Sequence, residues 1–295
     1  MTAVLVPVGP DPAEEGRLRD LVEAVRAFEP EVALVLVDDA VLPRAELATR
    51  YGATVVRTGV DVRVADPYSA MAAGTLAGLR AAKGHDLVVK LDTDALVAGP
   101  FVDALRRALE RFPRAGVLGS YDVTCTGVSR DFSGWRRPIR RAARPALVRR
   151  RPPFVEIARP GLWRRRRAVL NAARGHGYVA GEHCLGGAYA VRGRLIDELA
   201  ARGWLTAEPW LGTWLGEDVV VGLLARACGY TLHGLVGSGD PFGLARDGLA
   251  APPDELLANG HTIVHSVKND RRHTEDELRD YFRARRSRDP AAQQR

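Results

Sequence analysis

The only D-x-D in this chain is Asp92-Thr93-Asp94, within "VVKLDTDALVAGP". Two carboxylates at i and i+2 of an extended backbone lie on one side of it, so both can approach one hard cation. Magnesium or manganese held this way keeps open positions for the phosphates of a substrate. The plain alternative is a polar turn whose aspartates cap backbone amides. The apolar run "LVVKL" ahead of the pair favours the first reading, because it delivers both carboxylates to the end of a buried strand.

Further groups have residue types suited to chemistry. Asp38-Asp39 closes the run "EVALVLVDDA". A carboxylate there can accept hydrogen bonds from a ribose hydroxyl or a base N–H, or serve a turn or helix cap. Glu217-Asp218 opens an apolar helical pattern, where acids are favoured by the helix dipole by ~0.3–1 kcal/mol. That explains the acids but not the preceding "WLGTWLG", whose tryptophans, Trp214 included, and glycines suit a tightly turned, sugar-stacking pocket wall. In "HTIVHSVKN", His261 and His265 share a face whether the segment is strand or helix. Gly186-Gly187 in "CLGGAY" reads by spacing alone as a tight turn. No G-x-G-x-x-G follows the first apolar run and no G-x-x-x-x-G-K-[ST] exists, which speaks against a dinucleotide site and excludes a P-loop.

The elements that must position these groups alternate. "AVLVPV", "EVALVLVDDA", "TVVRTG" and "DLVVKL" read as strands. Between them, "AEEGRLRDLVEAVRAF" carries Leu18, Leu21, Val22 and Val25 at helical spacing, "ELATRYGA" reads as a short helix, and Asp66-Pro67 starts a helix that Gly84 stops. Continuous apolar strands separated by helices predict an α/β fold, a mostly parallel sheet covered on both faces. Ligands of such sheets bind beyond the carboxyl ends of the strands, where Asp38, Asp39, Asp92 and Asp94 all fall. Beyond residue 120 come two Arg-rich stretches, a Gly-rich turn with a strand and helix, the helix opened by Glu217, and the late strands "TLHGLVG" and "HTIVHSV". The simplest parse is one domain over residues 1–270, with an Arg-rich insertion at about 129–174, then a charged helix or tail over 271–295 that frays into disorder.

The 295 residues allow a large core, and 46% hydrophobic with 27% charged residues is ordinary globular composition. No apolar run approaches the ~20 residues that cross a bilayer. The opening "MTAVLVPVGP" reads as a strand rather than a signal. Cys125, Cys184 and Cys228 match no zinc or disulfide framework, which points to a reducing, cytoplasmic setting. The net charge of +7 is concentrated: residues 136–174 hold fourteen arginines and one acid, Glu156, and the remainder is net acidic. With few stacking aromatics and no recognisable module, nucleic acid is disfavoured as a partner. Tryptophan and aliphatics interleaved with arginine suit an anionic membrane surface or a diphosphate-lipid acceptor, against the plain reading of a solvated helical face.

Taken in order, "AVLVPVG", "LVLVDDA", "LVVKLDTD", "CLGGAYAV" and "LGEDVVVG" resemble the GT-A-fold, metal-dependent nucleotide-sugar glycosyltransferases of the bacterial family-2-like superfamily, over residues 3 to 268. The resemblance implies a mixed, mostly parallel sheet flanked by helices. It implies a donor, UDP- or GDP-linked, bound by Pro7, Val8, Gly9 and Asp38 or Asp39. It implies Mn2+ or Mg2+ on Asp94 with Asp92 assisting, His265 as a further ligand, and Lys268 on the diphosphate. Asp218, beside Glu217, would deprotonate a glycan, lipid-linked or small-molecule acceptor, or position it if configuration is retained. Gly186 and Gly187 would border the donor sugar, with Glu182 and His183 as acceptor contacts and His261 structural. The helix before the D-x-D lacks an Arg-Asn pair and no Q-x-x-R-W follows, against a processive synthase. Two alternatives remain. A sugar-1-phosphate nucleotidyltransferase needs a Gly-rich phosphate loop, for which "PVGPDPAEEG" is poor. A non-catalytic membrane or nucleic-acid binding protein on a degenerate frame would have lost its acids.

Overall fold

Strands that are apolar at every position need cover on both faces, and the computed structural model has that arrangement. It describes residues 1–40, 42–60, 66–145, 147–149, 155–157 and 160–288. Parts of the predicted Arg-rich insertion (146, 150–154, 158–159) and of the predicted tail (289–295) lie outside them.

The first half runs β1 (Thr2–Val8), α1 (Ala13–Phe28), β2 (Ala33–Asp38), α2 (Glu46–Tyr51), β3 (Thr54–Val56), α3 (Pro67–Ala81), β4 (Leu87–Leu91), β5 (Leu96–Val97), α4 (Val102–Arg111) and β6 (Ala115–Gly119). A 3-10 turn at Ser133–Trp135 leads into α5 (Arg136–Ala142), the short pair β7 (Leu147–Arg149) and β8 (Val155–Ile157), and α6 (Pro160–Gly175). Then come β9 (Ala188–Arg192), α7 (Gly193–Ala201), α8 (Glu217–Ala227), β10 (Thr231–Gly234), β11 (Phe242–Leu244), α9 (Pro253–Ala258), β12 (Ile263–His265) and α10 (Glu275–Arg288).

The main sheet has the order β10-β6-β9-β4-β1-β2-β3. Only β9 runs against its neighbours, pairing antiparallel with both β4 and β6. This is the mostly parallel α/β sheet that the strand pattern predicts, and it is mixed as the resemblance implies. Alternate residues serve opposite cores. Val4, Val6, Leu34, Leu36 and Val89 pack against α1 and α4, whereas Ala3, Leu5, Val35, Val37 and Val88 face α3, α7 and α8. A smaller sheet, β11-β12-β5, lies beyond the end of β4 and shares a third core with α9 and α10. Among the described residues no helix is long and apolar enough to cross a membrane.

Local chemistry explains the ends. The Asp66 side chain accepts from the Ser69 amide at 2.9 Å with Pro67 at the first helical position, as the sequence predicts for α3. The start of α4 has a distant cap: Glu29 accepts from the amides of Phe101 and Val102 at 2.6 and 2.8 Å.

Candidate active site

The reversal of β9 builds the site. Antiparallel pairing places the start of β9 beside the end of β4, so the Asp92 amide donates to the Gly187 carbonyl at 2.9 Å. The chain then turns through the D-x-D into β5, which pairs with β12 and brings His265 across from Asp94. The Asp94 carbonyl accepts from the Val267 amide at 3.1 Å, which fixes that approach.

Asp92, Asp94 and His265 offer ligand atoms that all lie within 4.8 Å of one another. His265 Nε2 is 3.4 Å from Asp94 Oδ1 and 4.0 Å from Asp92 Oδ2. An octahedral ion with bonds of ~2.1 Å places adjacent donors ~3 Å and opposite donors ~4.2 Å apart, so the spacing fits. The donor chemistry fits as well, since two hard carboxylates and an imidazole suit manganese. His265 Nδ1 donates to the Ala245 carbonyl at 2.9 Å, which turns Nε2 toward the carboxylates. Burial alone would raise the Asp94 pKa, but His265, Lys268 and the Ser266 hydroxyl at 2.7 Å hold it well below the carboxylate range. The same carboxylates outweigh burial at His265 and raise its pKa.

Two glycines make this approach possible. A Cβ on Gly187 would overlap the His265 ring, and one on Gly186 would stand 2.5 Å from Glu217 Oε1. Spacing alone suggests only a tight turn there; the side chains packed above it supply the stronger reason.

A group that sequence reasoning missed is Lys90, one strand position pair before Asp92. Its ammonium is fully buried and donates to Asp92 Oδ1 at 2.6 Å, the Gly186 carbonyl at 2.5 Å and Glu217 Oε1 at 3.3 Å. It therefore ties the first D-x-D carboxylate to the acid pair that opens α8. Glu14 was missed too: it accepts from Thr93, from Arg17 at 2.7 Å and from Lys268 at 3.1 Å. Lysine inside an apolar strand and glutamate in a helix's first turn carry no sequence signal that tells site from surface.

Two cavities meet at the triad. One, of about 460 Å³, is lined by Pro7, Gly9, Asp39, Asp94 and Lys268, among others. The second, of about 680 Å³, is lined by Tyr68, Arg130, Trp135, His183, Glu217 and Asp218. Asp92, His265, Met71 and Arg246 border both. Both volumes lie within the range of small-molecule sites. The Arg246 guanidinium is exposed and has no hydrogen-bond or ion-pair partner among the described residues.

Of the paired strand-end acids, only Asp39 opens on the first cavity. Burial, offset in part by the Thr58 hydroxyl, raises its pKa to about 6. Asp38 turns inward: its oxygens accept from the amides of Ala40 and Arg44 at 3.1 and 2.9 Å, with Arg44 and Arg57 guanidiniums at 3.7 and 3.5 Å. Val8 is buried in the sheet beneath Gly9. Lys268 Nζ lies 3.9 Å from Asp94 Oδ2.

On the second cavity, Asp218 Oδ1 accepts from the Val219 amide at 2.7 Å. Burial, followed by the charge of Glu217, pushes its pKa up to about 7. His183 is fixed as a neutral ring. Nδ1 donates to the Gly181 carbonyl at 2.7 Å, Nε2 accepts from Arg130 at 2.8 Å, and burial with Arg130 lowers its pKa to about 4. Trp214 stands exposed at φ 60°, its ring 6.3 Å from that of Tyr68 on the cavity rim.

Two expectations are corrected. Glu182 is not an acceptor contact: it is fully buried, with its oxygens taken by Arg226 at 2.6 and 3.1 Å, Tyr121 at 2.5 Å and the Val179 amide at 3.0 Å. Trp210 is not pocket wall, because its ring fills the core beneath α3 and α8. His261 is structural as expected, buried and donating to the Asp240 carbonyl at 2.8 Å.

Compared with known proteins, the sequence matches no protein-family profile and no curated protein. Several solved structures are similar to it. One is glucosyl-3-phosphoglycerate synthase from Mycobacterium tuberculosis in complex with Mn2+, UDP and glucosyl-3-phosphoglycerate: 20% identity, 88% of this chain, 76% of that one, TM-score 0.39. The bifunctional glycosyltransferase WbbM, in its apo form, is 14% identical over 99% of this chain and 50% of its own, TM-score 0.47. Residues 1–349 of S. aureus TarS in complex with UDP are 14% identical over 46% of this chain and 39% of that one, TM-score 0.33. Likenesses this loose leave the functional reading to the site itself.

Proposed function

We propose that the chain is a GT-A-type glycosyltransferase that moves a sugar from a nucleoside-diphosphate sugar to an acceptor hydroxyl, with a divalent cation on Asp92, Asp94 and His265. The observation that carries this reading is the triad at the seam of two cavities, with the Asp218 carboxylate facing the second. The nucleotide, UDP or GDP, occupies the smaller cavity against Pro7 and Gly9, with Asp39 accepting from a ribose hydroxyl or base N–H. Asp38 supports that loop from beneath. When bound, manganese or magnesium supplies Lewis-acid stabilisation of charge on the leaving diphosphate. Lys268 and Arg246 add positive charge on either side. The acceptor enters the larger cavity, lined by Trp135 and Tyr68. Its hydroxyl gives its proton to Asp218 as the O–C1 bond forms. The C1–O(phosphate) bond breaks with its electron pair going to the diphosphate. The Arg-rich face suits work beside an anionic membrane at its cytoplasmic side.

The test is release of free nucleotide from a panel of UDP- and GDP-linked sugars with manganese. Turnover by the native chain that Asp94→Ala and Asp218→Asn each lower at least ~100-fold supports the reading. Equal turnover in native protein and variants, or none on any donor, refutes it.

A further inference from the structure

The proposed transfer step uses none of the side chains on the outward side of α5 and α6, whose geometry is specific. The helices α5 and α6 are locked together. Trp163 Nε1 donates to the Ala143 carbonyl at 2.8 Å, and Arg166, buried, donates to the carbonyls of Ala142 at 2.9 Å and Pro209 at 2.7 Å. Ile139, Val169 and Leu170 fill the core side, and α6 packs along α8, which carries Asp218. The outward side holds a pocket of about 260 Å³ lined by Arg140, Arg144, Arg167, Arg174 and Asn171.

Those four guanidiniums are exposed, and none has a carboxylate within ion-pair distance among the described residues. Arg167 instead lies 5.5 Å over the Trp163 ring. Elsewhere in this protein pairing is common: Arg17, Arg50, Arg202, Arg226, Arg272, Arg279 and Arg283 each meet an acid. Four like charges converging on one concavity repel each other, and a bound anion reverses the sign of that energy. Guanidinium forks match phosphate oxygens in pairs. Asn171 adds a neutral donor at the rim.

We propose that the α5–α6 pocket is a binding site for a phosphate-bearing anion, separate from the metal-dependent cleft. The same chemistry is offered by a lipid headgroup and by a soluble diphosphate. The walls are two helices held rigidly by Trp163 and Arg166, so the arginines are mounted rather than merely tethered.

The test uses the full chain with a chelator, which silences the proposed metal cleft, and a variant carrying Arg140→Gln, Arg144→Gln, Arg167→Gln and Arg174→Gln. All four positions are exposed, so the variant is expected to keep the native melting temperature. Inorganic pyrophosphate is titrated calorimetrically, and both proteins are sedimented with vesicles of phosphatidylglycerol and phosphatidylcholine or of phosphatidylcholine alone. The expected result is binding to pyrophosphate or to the anionic vesicles that weakens at least ~100-fold in the variant, at a few-fold per arginine. Anionic vesicles that displace pyrophosphate identify a headgroup as the source, and pyrophosphate binding without vesicle binding identifies a soluble anion. Equal binding by native protein and variant, or no binding to either probe, overturns the proposal. Asp94→Ala should leave these titrations unchanged, so a failed transferase assay and a failed pyrophosphate titration are separate results.

Discussion

Lys90 sits between Asp92 and Glu217, with Asp218 next to Glu217 in sequence, and Lys90 and Asp218 each carry a prediction at the residue scale. Lys90 neutralises Asp92 and Glu217 together. Lys90→Met leaves the buried Glu217 and the half-buried Asp92 without their shared cation, a loss of about 3 kcal/mol. Adding Glu217→Gln should recover part of it, because one of the two uncompensated charges is gone. A double-variant cycle by urea unfolding checks this, and additive losses would separate the two groups. Asp218 works the other way. Its pKa rises on folding to about 7 from 3.8, so the folded state favours its protonated form. That stabilisation is present at acid pH and is lost as pH rises from about 4 through about 7. Asp218→Asn should therefore melt higher than the native protein at neutral pH, by a margin that shrinks toward pH 4. Its turnover should fall by ~10²–10⁴-fold with nucleotide binding retained. If the proposed transfer is right, turnover by the native protein should climb with pH and level above about 7, as expected when a carboxylate must be ionised to accept a proton.

At the scale of elements, the site depends on the pairing of β9 with β4 and of β12 with β5. Gly187→Ala, which pushes a methyl group into the His265 ring, should weaken manganese-dependent nucleotide binding by ~10–100-fold while leaving the far-ultraviolet circular dichroism unchanged. Intact binding in that variant would show that His265 is not held by this contact. Helices α1, α3, α7 and α8 were legible in the sequence because their apolar spacing and end residues are local. The reversed direction of β9 was not, since an apolar five-residue strand reads the same in either direction. The start of α4 was equally hidden, its cap coming from Glu29 on another element. Asp92 and Asp94 could be named from the strand end and residue type, and His265 from the resemblance alone, while their convergence follows from pairings no short window contains. Asp38 and Asp39 were indistinguishable in sequence because the choice between them rests on which one meets Arg44 and Arg57.

Across the whole molecule, the C-terminal helix closes a loop begun at the other end of the chain. Arg279 on α10 donates to Asp20 on α1 at 2.9 Å and to the Thr93 carbonyl, inside the D-x-D, at 3.3 Å, while Glu275 binds Arg17 at 2.7 Å. Leu278 and Phe282 are buried alongside. The charged helix is thus a brace for the D-x-D loop. Arg279→Ala should destabilise the protein by about 1–3 kcal/mol, with Arg283 and Arg286 still near Asp20. A melting temperature equal to that of the native protein would remove α10 from the account of the loop. The molecule as a whole then has an Asp-Asp-His cleft at the strand ends, a second cavity at the start of α8, and an arginine face on α5 and α6.

Titration of UDP and GDP into the protein by calorimetry, with and without manganese, on native chain and Asp94→Ala, tests the central claim most directly. Binding of one nucleotide that requires manganese and weakens at least ~100-fold in the variant is the predicted result. Binding that ignores both the metal and the substitution, or no binding of either nucleotide, would contradict it.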